Sequence, residues 1–346
     1  PLGGLDGAHV EAAARGPMAA RLAALDADGK VRVETALDPA TQPFLHDHRI
    51  DGTPVLPGVM GLEAFAEAAT AVYDGWTPVE ITDAAFLAPF KCWRDAARTA
   101  TVRALVRPLD DGTRAARCRL EGTRDLPTGT ETTTHFTATV RLARADASHA
   151  DAPREVPAAP FADPGDAHAP RVEREAIYRV FFHGPAYRVL DAVHAAADGA
   201  VGHLADDLPI DRAPADAPLL VAPRLIELCF QTAGVHEIAT TGQMGLPTAL
   251  RRLVVHRAPD PLERGITARV RRWGDGSYDA WVTDARGALL LALEGYRTIA
   301  LPTPLDAALV APFRKAFHSE GVAAGPPAGA VTDPFLATAP EAARVR

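Results

Sequence analysis

Hydrophobic and polar positions along this chain change period in a regular order. Lys30-Val31-Arg32-Val33-Glu34-Thr35-Ala36-Leu37 alternates with period 2, which predicts a strand with one buried face. A second short strand is expected through Phe44–Ile50, followed by the turn-rich Asp51-Gly52-Thr53-Pro54-Val55-Leu56-Pro57-Gly58. From Val59 to Tyr73 the period becomes helical. Val59, Leu62, Phe65, Ala66, Ala69, Val72 and Tyr73 fall on one stripe, and Asp74-Gly75 ends it. Four strands are expected next, over about 79–90, 99–108, 114–124 and 130–143.

Residues 146–170 lack any period and are rich in Ala, Asp, Pro and His, as a linker between two units would be. Beyond them a short helix is expected over Val172–Phe182, then strands over about 187–197 and 199–208. The proline-rich loop Asp211–Pro218 precedes a second long helix from about Pro223 to Thr240, with proline at a first-turn position where its missing N–H is harmless. Strands are expected over about 248–257, 265–273, 277–284 and 288–300. Residues 1–28 read as a lead-in linker and 303–346 as a C-terminal linker. The units 29–145 and 171–302 thus share one plan, a long apolar helix followed by antiparallel strands. The predicted fold class is α+β: a curved sheet wrapped on a central helix, made twice, which is a double hotdog.

Composition narrows the partners. Of 346 residues, 47% are hydrophobic and 23% charged, ordinary globular values that exclude a disordered, collagenous or disulfide-stapled chain. A net charge of −8 without a basic cluster argues against nucleic acid and anionic membrane as partners. No apolar run reaches the ~18 residues of a membrane span, and no basic, then apolar, N-terminal leader is present. Pro1-Leu2-Gly3-Gly4 reads as a cut from a longer polypeptide. Cys92, Cys118 and Cys229 are odd in number with no CxxC pair, which suits reduced thiols in a cytoplasm.

The sharpest chemical feature is His48-Arg49-Ile50-Asp51-Gly52-Thr53-Pro54-Val55-Leu56-Pro57, an HxxxGxxxxP pattern set between a strand and a helix. On this pattern, from about residue 25 to 302, the chain resembles the dehydratase domains of polyketide and fatty-acid synthases. The resemblance implies elimination of water from a β-hydroxyacyl thioester carried on the 4′-phosphopantetheine of an acyl carrier protein. It implies no bound cofactor and no metal. It also implies neighbouring synthase domains as partners and a homodimer within the megasynthase.

The elimination needs a base for the α-proton and an acid for the leaving hydroxyl. A neutral imidazole titrates near the working pH, so His48 suits the first role. Gly52 allows the tight turn behind it, and Pro57 closes the motif. The N–H groups of Gly58 and Val59, at the start of the helix, can stabilise the enolate oxygen. The family carries Asp-x-x-x-Gln or Asp-x-x-x-His on its second long helix, often after His-Pro. Here Glu227 stands at the Asp position, Gln231 at the Gln position and Ala222 in place of the His. The i, i+4 spacing puts Glu227 and Gln231 on one face. A carboxyl in an apolar tunnel is expected to have a raised pKa and to donate its proton, with Gln231 orienting it.

Phe181-Phe182-His183-Gly184-Pro185-Ala186-Tyr187 matches the Tyr-Gly-Pro-x-Phe stretch that lines the family's substrate tunnel, which assigns His183, Gly184, Pro185 and Tyr187 to that tunnel. Its Phe-His-Gly-Pro form is similar to the dehydratases of enediyne and polyunsaturated fatty-acid synthases. Glu63 and Glu67, at the same i, i+4 spacing on the first helix, are expected on its exposed face. His46 and His48 could share a metal, but no third ligand stands at a fitting spacing. No GxSxG, P-loop or dinucleotide-binding glycine motif is present. On the same fold a product-template-like cyclase, a double-bond isomerase or a non-catalytic scaffold stay open as alternatives.

Overall fold

The computed structural model describes residues 16–317 apart from 27, 128, 146–169 and 258–262. The expected linker at 146–170 therefore lies, except for Pro170, outside the described residues.

The first half contains β1 (Arg21–Leu25), β2 (Lys30–Leu37), α1 (Pro43–His46), β3 (Arg49–Ile50), β4 (Thr53–Pro54) and α2 (Gly58–Thr70). It continues with β5 (Trp76–Phe86), β6 (Arg98–Pro108), β7 (Arg114–Leu126) and β8 (Gly129–Arg144). The second half contains β9 (Arg171–Glu173), α3 (Arg174–Ile177), β10 (Leu190–Ala196), β11 (Gly199–Leu204) and α4 (Pro223–Thr241). It ends with β12 (Gly245–Val255), β13 (Thr267–Arg272), β14 (Tyr278–Thr283), β15 (Leu289–Ala300) and α5 (Ala307–Phe317).

Thirteen of the strands form one sheet in the order β1-β2-β6-β7-β8-β5-β12-β15-β14-β13-β11-β10-β9. Numbered within each half, with β9 set aside as an extra edge strand, both halves run 1-2-4-5-6-3 and place their long helix between strands 2 and 3. The halves meet through their third strands, antiparallel, with Ala249 opposite Ala85 and Leu253 opposite Ile81. This is the double hotdog expected from the chain's periodicity. Each long helix lies in the concave face of its own half-sheet, and the two helices touch each other.

Small residues let α2 approach the sheet. Its 59–69 stretch is wholly buried, and Ala64, Ala66, Ala68 and Ala69 are 0% exposed. A Cβ on Gly61 would stand 2.4 Å from the Phe136 ring on β8. Glu63 and Glu67 are not on an exposed face: they are 0% and 4% exposed. Glu63 accepts the N–H groups of Leu220 (2.7 Å) and Val221 (3.0 Å), and Glu67 accepts that of Met18 (2.9 Å). Two backbone segments thus use these carboxyls as their hydrogen-bond partners, which explains acidic side chains in a core. Burial holds both carboxyls above their ordinary range, and for Glu67 the neighbouring Glu63 adds to the push. Leu220 and Val221 lead into Ala222, which caps α4 in the left-handed region at φ 51°. Glu63 of the first helix therefore holds the strained turn that launches the second.

Four expectations change. The predicted strand over 44–50 is α1 followed by two-residue β3, because Pro43 occupies a helix first-turn position and Phe44 and Leu45 are both buried rather than alternating. The predicted helix over 172–182 is β9 and one-turn α3: Val172 pairs with Val193 on β10 and extends the sheet edge. Residues 21–25 of the expected lead-in are β1, paired with β2, and Met18 and Ala19 are buried. Part of the expected tail is α5, which packs against α4 and buries Val310, Phe313, Ala316 and Phe317.

Candidate active site

His48 sits where α1 gives way to the β3–β4 hairpin. Asp51 and Gly52, at φ 48° and 76°, make the two-residue turn of that hairpin, a type I′ geometry that the Asp-Gly pair favours. The turn brings Val55 back so that its carbonyl accepts from His48 Nδ1 at 2.7 Å. A carbonyl can only accept, so Nδ1 carries the hydrogen and Nε2 of the neutral ring keeps its lone pair. Burial, then the neighbouring His183, pushes the His48 imidazole down to about 4. Near neutral pH it is an uncharged base. Gly52 itself is exposed and shapes the turn.

Pro57 caps α2, and its carbonyl accepts the N–H groups of Met60 and Gly61. The first-turn N–H groups of Gly58 and Val59 have no acceptor within the helix. Gly58 reaches the cavity beside His48, and a Cβ there would stand 2.7 Å from the Phe86 ring. Val59 is buried and does not line the cavity.

The other half arrives through an isolated bridge between the backbones of His48 and His183. Gly184 N–H donates to the Asp47 carbonyl (2.6 Å), and Ala186 N–H to Asp47 Oδ2 (2.7 Å). A Cβ on Gly184 would collide with Asp47 at 2.8 Å, so only glycine permits this approach. The two rings, His48 and His183, stand 5.2 Å apart, with Phe182 stacked on His183 at 4.5 Å.

Glu227, on the second turn of α4, faces the same place. Its Oε1 accepts from His183 Nε2 (3.1 Å) and from Gln231 Nε2 (2.9 Å). Gln231 is itself fixed at both ends: its Nε2 also donates to the Tyr187 carbonyl (2.9 Å), and its Oε1 accepts from Tyr178 Oη (2.7 Å). The raised pKa expected for Glu227 is not found. Burial alone would raise it, but the His183 hydrogen bond, the electrostatic pull of the two neighbouring imidazoles and the Gln231 amide together hold it below its ordinary range. His183 makes the difference.

His48, Gly58, His183, Glu227 and Gln231 line one cavity of about 520 Å³. Its other walls are mostly apolar, with Phe86, Phe136, Phe181, Phe230 and Tyr296, and exposed Leu87 and Ile299 flank its opening. That size and lining suit an acyl chain with a few polar groups to orient it. Gly184, Pro185 and Tyr187 are not among the lining residues; Tyr187 is 0% exposed and packs behind His48, its ring 6.5 Å away. Of the four residues expected along the tunnel, His183 is the one on the cavity wall. His46 points to solvent and bonds Asp47 at 2.8 Å. No cluster of three or more potential metal ligands occurs among the described residues, and no helix among them is long and apolar enough to cross a membrane.

Sequence reasoning missed three supports: Asp47, Tyr178 and the His183–Glu227 contact. Asp47, beside His48, had a signal in its position. Tyr178 had none, because only the fold carries it 53 residues to Gln231.

Residues 17–119 match the family described as polyketide synthase dehydratase domain, and residues 149–307 the one described as polyketide synthase dehydratase N-terminal domain. The chain belongs to the polyketide synthase dehydratase family. Among curated relatives, polyketide synthase ThaG of Burkholderia thailandensis is 28% identical over 271 residues, covering 74% of this chain and 4% of that protein. The phthioceranic/hydroxyphthioceranic acid synthase of Mycobacterium tuberculosis is 29% identical over 270 residues, 75% of this chain and 12% of that protein. The chain thus spans a small part of the curated relatives it matches. Among solved structures, the dehydratase domain of a mycocerosic acid synthase-like polyketide synthase is 25% identical with a TM-score of 0.60, covering 82% of this chain and 94% of that one. The dehydratase domain from the CurF module of curacin polyketide synthase has the same fold, at 16% identity and a TM-score of 0.64, covering 83% of this chain and 99% of that one.

Proposed function

We propose that this domain removes water from a β-hydroxyacyl thioester, delivered on the 4′-phosphopantetheine of an acyl carrier protein, to give the α,β-enoyl thioester. The observation that carries the reading is the pairing of His48 from one half with Glu227 from the other on the wall of one apolar cavity, 179 residues apart in sequence. His48 Nε2 takes the α-proton, because its Nδ1 is committed to Val55. The Gly58 N–H, at the positive end of α2, receives the developing enolate oxygen. The hydrogen-bonded Glu227–His183 pair holds the proton for the leaving hydroxyl. Gln231 fixes the Glu227 carboxyl within that pair. The elimination is redox-neutral, so the reading calls for no nucleotide or metal cofactor. Its partners are the carrier protein and the synthase domains around it.

The test is direct. Purified protein is given 3-hydroxyacyl thioesters, on pantetheine and on a carrier protein, and water loss or the reverse hydration is followed. Wild type should turn over, and His48→Ala should be inactive with an unchanged circular-dichroism spectrum. Near wild-type turnover in His48→Ala would end this assignment.

A further inference from the structure

Resting on this reading, we propose that His183 is the catalytic acid: its imidazolium form hands the proton from Nδ1 to the leaving hydroxyl, while the Glu227 carboxyl orients the ring through Nε2. The ring lines the cavity beside His48 and is 5% exposed. Its Nε2 is committed to Glu227 at 3.1 Å, yet its Nδ1 has no hydrogen-bond partner among the described residues. A buried, unpaired polar atom costs about 1–3 kcal/mol, and folds keep such atoms where function needs them. Here the substrate hydroxyl is the missing partner.

The contacts of Glu227 point the same way. Its Oε1 accepts two N–H groups, from His183 and Gln231, so His183 Nε2 is directed at the carboxyl and a proton for substrate leaves from Nδ1. The low range of the Glu227 carboxyl favours its ionised form. Carboxylate, imidazole and substrate then stand in series, with the carboxylate orienting the ring and stabilising its charge.

The step balances. The Cα–H bond breaks toward His48 Nε2, and its electron pair becomes the Cα=Cβ bond. The Cβ–O bond breaks with its pair onto oxygen, which takes the proton from His183 Nδ1 and leaves as water. His48 ends charged and His183 neutral. The rings stand 5.2 Å apart on one wall, so base and acid meet adjacent substrate carbons from one side, and a single water can carry the proton back between them.

Two variants separate this from proton donation by Glu227. His183→Gln keeps a donor to Glu227 but has no acidic proton. His183→Phe keeps the ring stacked on Phe182. Both should lose roughly 10²–10⁴-fold in kcat with KM little changed, and both should lose the alkaline limb of the pH–rate profile. Added imidazole should partly restore a His183→Gly variant, more so as the imidazolium fraction rises. If His183→Gln keeps its alkaline limb and stays within about threefold of wild type, Glu227 donates directly and His183 is a positioning residue. An inactive wild type would overturn the dehydratase reading along with this step. An active wild type indifferent to His183 would overturn this step alone.

Discussion

Glu227→Gln isolates charge from shape. The carboxyl is buried, and both of its N–H donors meet the same oxygen, Oε1. An amide oxygen in that place accepts both bonds, so His183 and Gln231 stay where they are. What disappears is the negative charge that keeps a proton on the Glu227–His183 pair. A general-acid step is worth roughly 10²–10⁴-fold, which at about 1.4 kcal/mol per decade is ~3–5 kcal/mol of barrier. Folding stability should fall as well, because the low range of the carboxyl means that its charge-assisted bonds outweigh its desolvation cost. Hydration of an enoyl thioester, followed by the loss of its conjugated absorbance, measures the rate, and a urea melt measures the fold. Glu227→Asp should fall between, since it keeps the charge but draws it back by one methylene, and a misplacement of about 1 Å can itself cost about 10²-fold. A Glu227→Gln enzyme within threefold of wild type, with an unshifted melt, would show that the pair holds no essential proton.

Two further expectations concern stability. The His48 imidazole is lowered from 6.5 to about 4 on folding, so as pH falls the unfolded chain takes up the proton first. The stability present above pH 6.5 is then lost progressively down to about pH 4. Between pH 7 and 5 this amounts to about 2 kcal/mol at ~1.4 per pH unit; His236, which burial also lowers to about 4, titrates alike in both proteins, so urea melts should show a loss larger by that amount in wild type than in His48→Phe, and equal losses would refute the assignment. Gly61→Ala places a methyl 2.4 Å from the Phe136 ring, an overpacking worth about 1–3 kcal/mol, and an unchanged melting temperature would contradict the close approach of α2 to β8.

The repeated plan of the chain was legible in sequence because it rests on period. Alternation marked β2 and the strand runs after each helix, and the apolar stripe from Val59 marked α2. His48, Gly52 and Pro57 were legible for a related reason: a motif within ten residues depends on a local turn, and Asp-Gly specifies that turn almost alone. Elements whose form depends on distant partners were not legible. β9 is a strand because the β10 edge is there to receive it, and α5 is a helix docked on α4 where composition suggested a tail. Glu63 and Glu67 read as a solvated face, since nothing local shows that the N–H groups of residues 18, 220 and 221 will come to them.

The site divides along the same line. Spacing put Glu227 and Gln231 on one face of a helix. It could not give the protonation of Glu227, which was expected high and is low. That property belongs to a contact between residues 183 and 227, made only when Gly184 lets its loop close on Asp47. A sequence sets which groups are present and the conformation of each short stretch. Electrostatic state is set by neighbours within a few ångströms, and in a sheet of this topology those neighbours are chosen by tertiary pairing.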